Sequence, residues 1–348
     1  MKEALFYNKL DNLQVECILC PHNCLIADGK AGRCGTRLNT SGSLMTLVYG
    51  QVSCEAVDPI EKKPLFHFYP GSLVYSLGTL GCNMRCSHCQ NWQISRARIG
   101  DEETVRTTTY LSPQDAVKNA LNSDCEGIAF TYNEPTVWFE YTLDVSKLAK
   151  ENGLYTAYVT NGYINSEPLD LIAPYLDAYR VDIKGFDDEF YREVAGVPSI
   201  KPVLESAVRA KKKWDMHVEA VTNIIPGKND APQQLHALAR WIAKELGKDT
   251  PWHITRFMPC LELSSLSSTP EYALKAAQEI GFQEGLQYVY IGNVPFHPGA
   301  NTYCPSCGEM IIERGAHSLI RYELLSGCCK FCRRPVTVRE QGTSLKGP

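Results

Sequence analysis

SLVYSLGTLGCNMRCSHCQNW, residues 72–92, begins as a buried β-strand and ends in a loop with three cysteines, Cys82, Cys86 and Cys89, separated by three residues and then two. The opening run is apolar and strand-forming. Comparable runs follow at 127–131 (GIAFT), 154–160 (LYTAYVT), 177–183 (DAYRVDI), 216–222 (MHVEAVT) and 252–257 (WHITRF), each succeeded by a segment of helical character. Helix punctuation fits the same reading. Ser112-Pro113-Gln114-Asp115 supplies an N-cap, a proline at the first helical position and an acid at the third, and Gly153 stands where the helix of residues 136–152 should stop. Six parallel strands with intervening helices predict an α/β fold, either a doubly wound sheet or a partial barrel.

Both architectures place their sites at the carboxyl ends of the strands, so the residues after each run carry the functional reading. After the first comes the cysteine loop. Then follow Tyr132, Asn133, Glu134 and Pro135; Thr160 and Asn161; Asp182 and Lys184; Asn223 to Asp230; and Met258. An Asn-Gly turn or an Asp-Lys pair is ordinary alone. Their recurrence at equivalent positions points to one rim.

The 348 residues include 15 cysteines, with 35 Lys and Arg against 39 Asp and Glu, a formal charge of -4. Such a balance creates no strong field toward nucleic acid or an anionic membrane. The start, MKEALFYNKLDNLQVE, lacks the features of a secretion signal, and no apolar run approaches the roughly 18 residues of a spanning helix. A cytoplasmic protein without a membrane partner is expected. In that setting clustered cysteines suit metal or cluster ligation better than disulfides. An iron–sulfur cube with three protein thiolates keeps one iron open to a substrate or cofactor, as the fourth position of a catalytic zinc is open.

Cys-x3-Cys-x2-Cys at the end of a first strand resembles the defining signature of the radical S-adenosylmethionine (SAM) superfamily. The resemblance implies that Cys82, Cys86 and Cys89 hold a 4Fe-4S cluster, that the amino and carboxylate groups of SAM bind the open iron, and that reductive cleavage yields a 5'-deoxyadenosyl radical. It implies a partial (βα)6 barrel of the TIM type and a reductant such as flavodoxin or ferredoxin. Superfamily members usually carry an aromatic residue just before the third cysteine; here His88 takes that place against the cofactor. Activases of glycyl radical enzymes are similar piece by piece. Their Gly-Gly-Glu-Pro segment corresponds to Tyr132-Asn133-Glu134-Pro135, which assigns Glu134 to the SAM amino group. Their Asp-Thr-Asn-Gly corresponds to Val159-Thr160-Asn161-Gly162, where the missing Asp removes a cation role and leaves Asn161 to the ribose or methionine part. Asp182 and Lys184 are assigned to the methionine moiety.

Together with CILCPHNC (17–24), DPIEKKPLFHFYPG (58–71), TYNEPT (131–136), VTNGY (159–163), VDIKGF (181–186) and TRFMP (255–259), the chain resembles the AmmeMemoRadiSam system radical SAM enzyme family. That resemblance implies AMMECR1-like and Memo-like partner proteins and leaves the substrate unidentified. An activase that installs a glycyl radical on a partner is the alternative within this chemistry. An electron carrier, or a zinc-ribbon binding protein without SAM chemistry, is the alternative outside it. Lys330, Arg333 and Arg334 keep nucleic acid open as a ligand of such a module, although the balanced charge disfavours it.

Two flanking clusters complete the expectations. Cys304-x2-Cys307 and Cys329-x2-Cys332 have the spacing of a zinc ribbon, with an auxiliary iron–sulfur cluster as the other option and Cys328 able to stand in for Cys329. Cys17, Cys20, Cys24 and Cys34, with His22 nearby, form a second candidate site for zinc or an auxiliary cluster. The expected organisation is a Cys-rich N-terminal module at 1–70, the barrel at 71–300, and a zinc-ribbon-like module with a tail at 301–348. The charge run Glu61, Lys62, Lys63 with His67 reads first as solvated surface, and second as a lining of the SAM cavity or a partner-docking segment.

Overall fold

The computed structural model describes residues 1–97 and 107–340. The expected tail at 341–348 and residues 98–106 of the expected barrel lie outside the described residues.

Eight strands form the central sheet: β1 (Cys54–Pro59), β2 (Leu73–Gly78), β3 (Gly127–Phe130), β4 (Tyr155–Thr160), β5 (Ala178–Asp182), β6 (His217–Ile224), β7 (Trp252–Arg256) and β8 (Val289–Gly292). They pair in chain order from β1 to β8. All pairs from β2 onward are parallel, with Phe130 opposite Leu77 and Tyr158, and Asp182 opposite Val221. β1 joins the edge antiparallel to β2. Every residue of β3 and β4 is buried, as expected of parallel strands covered on both faces. The six expected strands are present in order, and β1 and β8 flank them. The two edges do not pair with each other, so the sheet is not a closed barrel.

Helices α1 (Pro113–Asn122), α2 (Phe139–Glu151), α3 (Ser166–Ile172), α4 (Lys201–Val208), α5 (Pro232–Trp241) and α6 (Glu271–Gln283) supply the connections. Ser112 Oγ accepts from Asp115 N at 3.0 Å at the start of α1, which satisfies one orphan N–H of the first turn. Gly153, with φ +75°, follows the end of α2, a conformation that glycine adopts without steric cost.

The N-terminal residues do not pack apart from the sheet: Val15, Leu19, Ile26 and Leu44 share one core with Ile128 and Tyr158. The C-terminal residues form a three-stranded antiparallel sheet from Thr302–Tyr303, Met310–Arg314 and Leu319–Tyr322. Ile311, Ile312 and Leu324 from this region pack with Phe66, Tyr288 and Tyr290. No helix among the described residues is long and apolar enough to cross a membrane.

Residues 60–71 run through the end of the sheet opposite the cysteine loop, pinned by a fully buried carboxylate. Glu219 on β6 accepts from Phe66 N (3.0 Å), His67 N (2.8 Å), His217 Nε2 (2.8 Å) and His253 Nε2 (2.6 Å). His67 Nδ1 meets Thr337 O at 2.7 Å, and a carbonyl only accepts, so Nδ1 carries the proton. Nε2 then accepts from the Tyr290 hydroxyl at 2.5 Å. This polar chain ties the C-terminal module to the base of the sheet.

Burial pushes the His67 pKa down to about 4, against the opposing pull of Glu219. Its folded pKa therefore lies below its unfolded value of about 6.5. The unfolded chain binds the proton first as pH falls, so stability is full above the unfolded pKa and drops toward the folded one. At pH 5, His67 alone should remove about 2 kcal/mol relative to pH 7. Urea unfolding followed by circular dichroism checks this, and a midpoint unchanged over that interval would contradict it.

Candidate functional site

The carboxyl ends of β2 to β7 open onto one cavity of about 490 Å³, within the range of small-ligand sites. A hollow of about 570 Å³ lined by Glu16, Asn165 and Lys201 is larger, but no cysteine lines it. The cysteine loop leaves β2 through Gly81, whose φ is +84°. A Cβ there would lie 2.3 Å from Thr36 Cγ2 and 2.8 Å from Cys34 O, so the loop passes where only glycine fits. Asn133 braces the same turn, accepting from Thr79 N at 3.0 Å and donating to Gly81 O at 2.7 Å. Further along, Arg85 N and Ser87 N donate to Ala195 O and Val194 O, each at 2.9 Å.

Cys82, Cys86 and Cys89 all line the cavity. Among the described residues no fourth cysteine lines it, and residues 98–106 contain none. Cys260 lies beside the loop, but its thiol donates to Cys89 O at 3.5 Å. Asn161 Nδ2 approaches Cys82 Sγ at 3.7 Å while donating to Asn83 Oδ1 at 2.9 Å, the kind of donor that tunes a metal-bound thiolate. Burial pushes the Cys86 thiol up to about 11, and the Cys82 thiol goes further in the same direction for the same reason. His88 also lines the cavity, and its Nδ1 is buried with no partner. Burial, and then the nearby Lys184 ammonium, push its pKa down to about 3. A neutral ring with an unspent polar atom is suited to meet a heteroaromatic ligand. Three cysteines and a neutral imidazole with an unpartnered nitrogen, all from residues that line a single cavity, thus fit a cluster with an open iron and a bound nucleoside.

The remaining rim residues are held by one another. Glu134 is 1% exposed. Its Oε1 accepts from Thr136 N (3.0 Å), Thr136 Oγ1 (2.7 Å) and Thr160 Oγ1 (2.7 Å), and its Oε2 from Asn161 N (2.8 Å). Burial raises its pKa, and these donors work against that shift. The carboxylate thus latches the β3 loop to the end of β4, and Oε2 keeps capacity for one more donor. Tyr132 adopts φ +70°, strained for a bulky residue, and donates to Asp58 Oδ2 at 3.0 Å. Asp182 pairs with Arg180 and, at 2.9 Å, with Lys184 Nζ. Burial alone would raise the Asp182 pKa, but the two cations hold it at about 2.

Among the lining residues, Thr255 and Asn293 were not singled out by sequence. Asn223 lines the cavity from the rim segment expected after the fifth run, and Lys62 and Lys63 reach it as in the second reading of the charge run, whereas Met258 is exposed and does not line it. Lys63 is 3% exposed because Asp58 Oδ2 accepts from it at 2.7 Å and its ammonium lies 4.7 Å from the centre of the Tyr132 ring. Two apolar positions flanking the charge run, Ile60 and Leu65, are wholly buried, and they are the sequence signal that the run is not free surface. Glu61 and His67 are buried outside the cavity.

At the C-terminus, Cys304, Cys307, Cys329 and Cys332 bring their sulfurs within 4.8 Å of one another, with Cys304 to Cys332 at 3.5 Å and Cys307 to Cys329 at 3.8 Å. A tetrahedral site with zinc–sulfur bonds of about 2.3 Å has edges near 3.8 Å. Two matching turns build it: Gly308 N donates to Cys304 O and Arg333 N to Cys329 O, each at 2.9 Å. Cys328 stays outside the group. At the N-terminus, Cys17, Cys20, Cys24 and Cys34 line a separate small cavity. His22 meets Asn83 O at 2.7 Å through Nε2.

The Radical SAM superfamily model matches residues 77–242, which span β3 to β6 and the cysteine loop. An uncharacterized protein of Methanocaldococcus jannaschii, MJ0808, is 44% identical over 97% of this chain and 99% of its own length. The pyruvate formate-lyase-activating enzyme of Clostridium pasteurianum is 26% identical over 47% of this chain and 66% of its own. A radical SAM methyltransferase structure from Sphaerobacter thermophilus aligns with a TM-score of 0.49 at 15% identity, covering 68% of this chain and 70% of that one. The superfamily implies a 4Fe-4S cluster and SAM. Matched along nearly its whole length by the archaeal protein, the chain belongs to the family of MJ0808, and its residues 77–242 form a Radical SAM superfamily domain.

Proposed function

We propose that this protein is a radical SAM enzyme that cleaves SAM reductively to start radical chemistry on a substrate held in the same cavity. The observation that carries the reading is the cavity with three cysteines and no fourth at the shared carboxyl end of the strands. Cys82, Cys86 and Cys89 would hold the cluster, and SAM would lie between it and the rim. When bound, the pair supplies a one-electron cleavage of a carbon–sulfur bond. His88 would pack on the adenine, Oε2 of Glu134 would take the SAM amino group, and Thr160 and Asn161 would fix the ribose or methionine part. Asp182 and Lys184 would face the charged methionine end, with Tyr132 and Asn133 shaping the β3 side. Asn223, Thr255 and Asn293 remain for the substrate.

Likeness to activating enzymes supports a version in which the substrate is a glycine of a partner protein. The chain-wide sequence resemblance supports membership of the AmmeMemoRadiSam group, with AMMECR1-like and Memo-like partners. A flavodoxin or ferredoxin in the cytoplasm would be the electron donor. The C-terminal four cysteines would hold structural zinc in a module that begins near residue 300, and the Cys-rich N-terminal stretch to about residue 70 would be a sequence unit that lends β1 to the sheet and shares its core.

Anaerobic protein with reconstituted iron and sulfide, given SAM and dithionite, should release 5'-deoxyadenosine and show a SAM-dependent change in its reduced paramagnetic spectrum. Absence of both would overturn the proposal. Glu134→Gln should raise the KM for SAM about tenfold, equivalent to about 1.4 kcal/mol, because an amide nitrogen would face donors where an oxygen now accepts. Initial-rate measurements on protein with native circular dichroism test this, and an unchanged KM counts against Glu134 as the amino-group acceptor.

A further inference from the structure

Cys17 and Cys24 lie opposite each other in a hairpin of Val15–Cys17 with Cys24–Ile26, Cys20 sits in its turn, and Cys34 comes from the loop before Arg37–Thr40. All four line one cavity closed by Leu19, Ile26 and Val137. Among the described residues, only the C-terminal four cysteines bring their ligand atoms within 4.8 Å of one another. The N-terminal four share a cavity without that close approach, as do Cys82, Cys86 and Cys89. A single tetrahedral ion needs sulfurs near 3.8 Å apart, whereas a cluster carries its own inorganic core between the thiolates and spreads them.

A second observation points to an occupant that accepts hydrogen bonds. Arg37 lines the same cavity and is 1% exposed. Its Nη2 donates to Glu140 at 2.6 Å and its Nη1 to Leu5 O at 2.8 Å, but its Nε is buried with no partner. An unmade bond from a buried guanidinium is costly, and sulfides of a cysteine-ligated cluster accept such N–H groups.

We infer that Cys17, Cys20, Cys24 and Cys34 bind a second iron–sulfur cluster, fully ligated by protein, against the back of the loop that carries Cys82. Asn83 lines this cavity while its neighbour Cys82 lines the other, so these two residues form a shared wall. Four thiolates leave no iron open, and the centre should ignore SAM.

The test uses full-length protein reconstituted anaerobically with iron and sulfide in the presence of zinc. The Cys82→Ala/Cys86→Ala/Cys89→Ala variant should keep about half of the iron and acid-labile sulfide, with a reduced paramagnetic signal unchanged by SAM. Cys17→Ser/Cys24→Ser should lose that half and keep whatever SAM-sensitive signal the wild type shows. Sulfide separates a cluster from iron or zinc held singly at the C-terminal site. A triple-alanine variant with native circular dichroism and no sulfide, or with only zinc, overturns the inference. If the wild type never responds to SAM while the triple variant retains sulfide and iron, the proposed enzymatic role fails and this site stands.

Discussion

Cys86→Ala is expected to lower 5'-deoxyadenosine release at least about 100-fold, since changes even in the outer shell of a metal site cost 10- to 100-fold and this one removes a direct ligand. Cys86 Sγ belongs to the cavity shared with Cys82 and Cys89. Its thiol is pushed up to about 11, chiefly by burial, with Lys184 opposing that shift. Without a metal it stays protonated at neutral pH; binding releases the proton, and the metal's charge compensates the thiolate. The paired control is Cys260→Ala, whose thiol donates only to Cys89 O and should change release less than about threefold, within what loss of a neutral hydrogen bond explains. Liquid chromatography of the quenched reaction reads both. If Cys260→Ala abolished release as Cys86→Ala should, a fourth thiol would be completing the cluster, and the open iron on which the proposed reaction depends would not exist.

The parts of the fold that were legible in sequence are those where burial imposes a simple pattern. Runs such as those of β3 and β4, covered on both faces, have to be apolar throughout, and the polar residues that follow them had to reach the same rim. β1 escaped because an edge strand is covered unevenly: Cys54 to Val57 alternates between half-buried and exposed positions before Asp58 is buried. β8 escaped because four residues between helical and turn segments carry too little pattern. Within the site, residue types were legible but partners were not. Glu134 is surrounded by donors from Thr160 and Asn161, more than twenty residues onward, and only folding brings them to it. Lys63 reads as surface because lysine usually is. Here Asp58, five positions earlier, compensates its charge inside the sheet, a pairing invisible until the chain is seen to turn back through the base.

Glu219→Leu should be the most destabilising single change outside the cysteine clusters, by about 3–5 kcal/mol, a large share of the roughly 5–15 kcal/mol that holds a folded domain. Glu219 is 0% exposed. Burial favours its neutral form, yet N–H groups from His217 and His253 hold its pKa well below the ordinary carboxylate range. Leucine is close enough in volume that the cost is not a cavity; it is two histidine donors and the amides of Phe66 and His67 left buried without an acceptor. Those amides anchor residues 60–71, and the same segment puts Lys63 in the cavity. Destabilisation should therefore be accompanied by a higher KM for SAM or substrate in whatever folded protein remains, while cluster content per folded molecule stays constant. Urea unfolding gives the first quantity, and iron analysis of the monodisperse fraction gives the second. A loss below about 1 kcal/mol, the worth of one ordinary hydrogen bond, would mean that apolar packing by Phe66 and Phe68 holds the base and that the buried carboxylate is incidental to it.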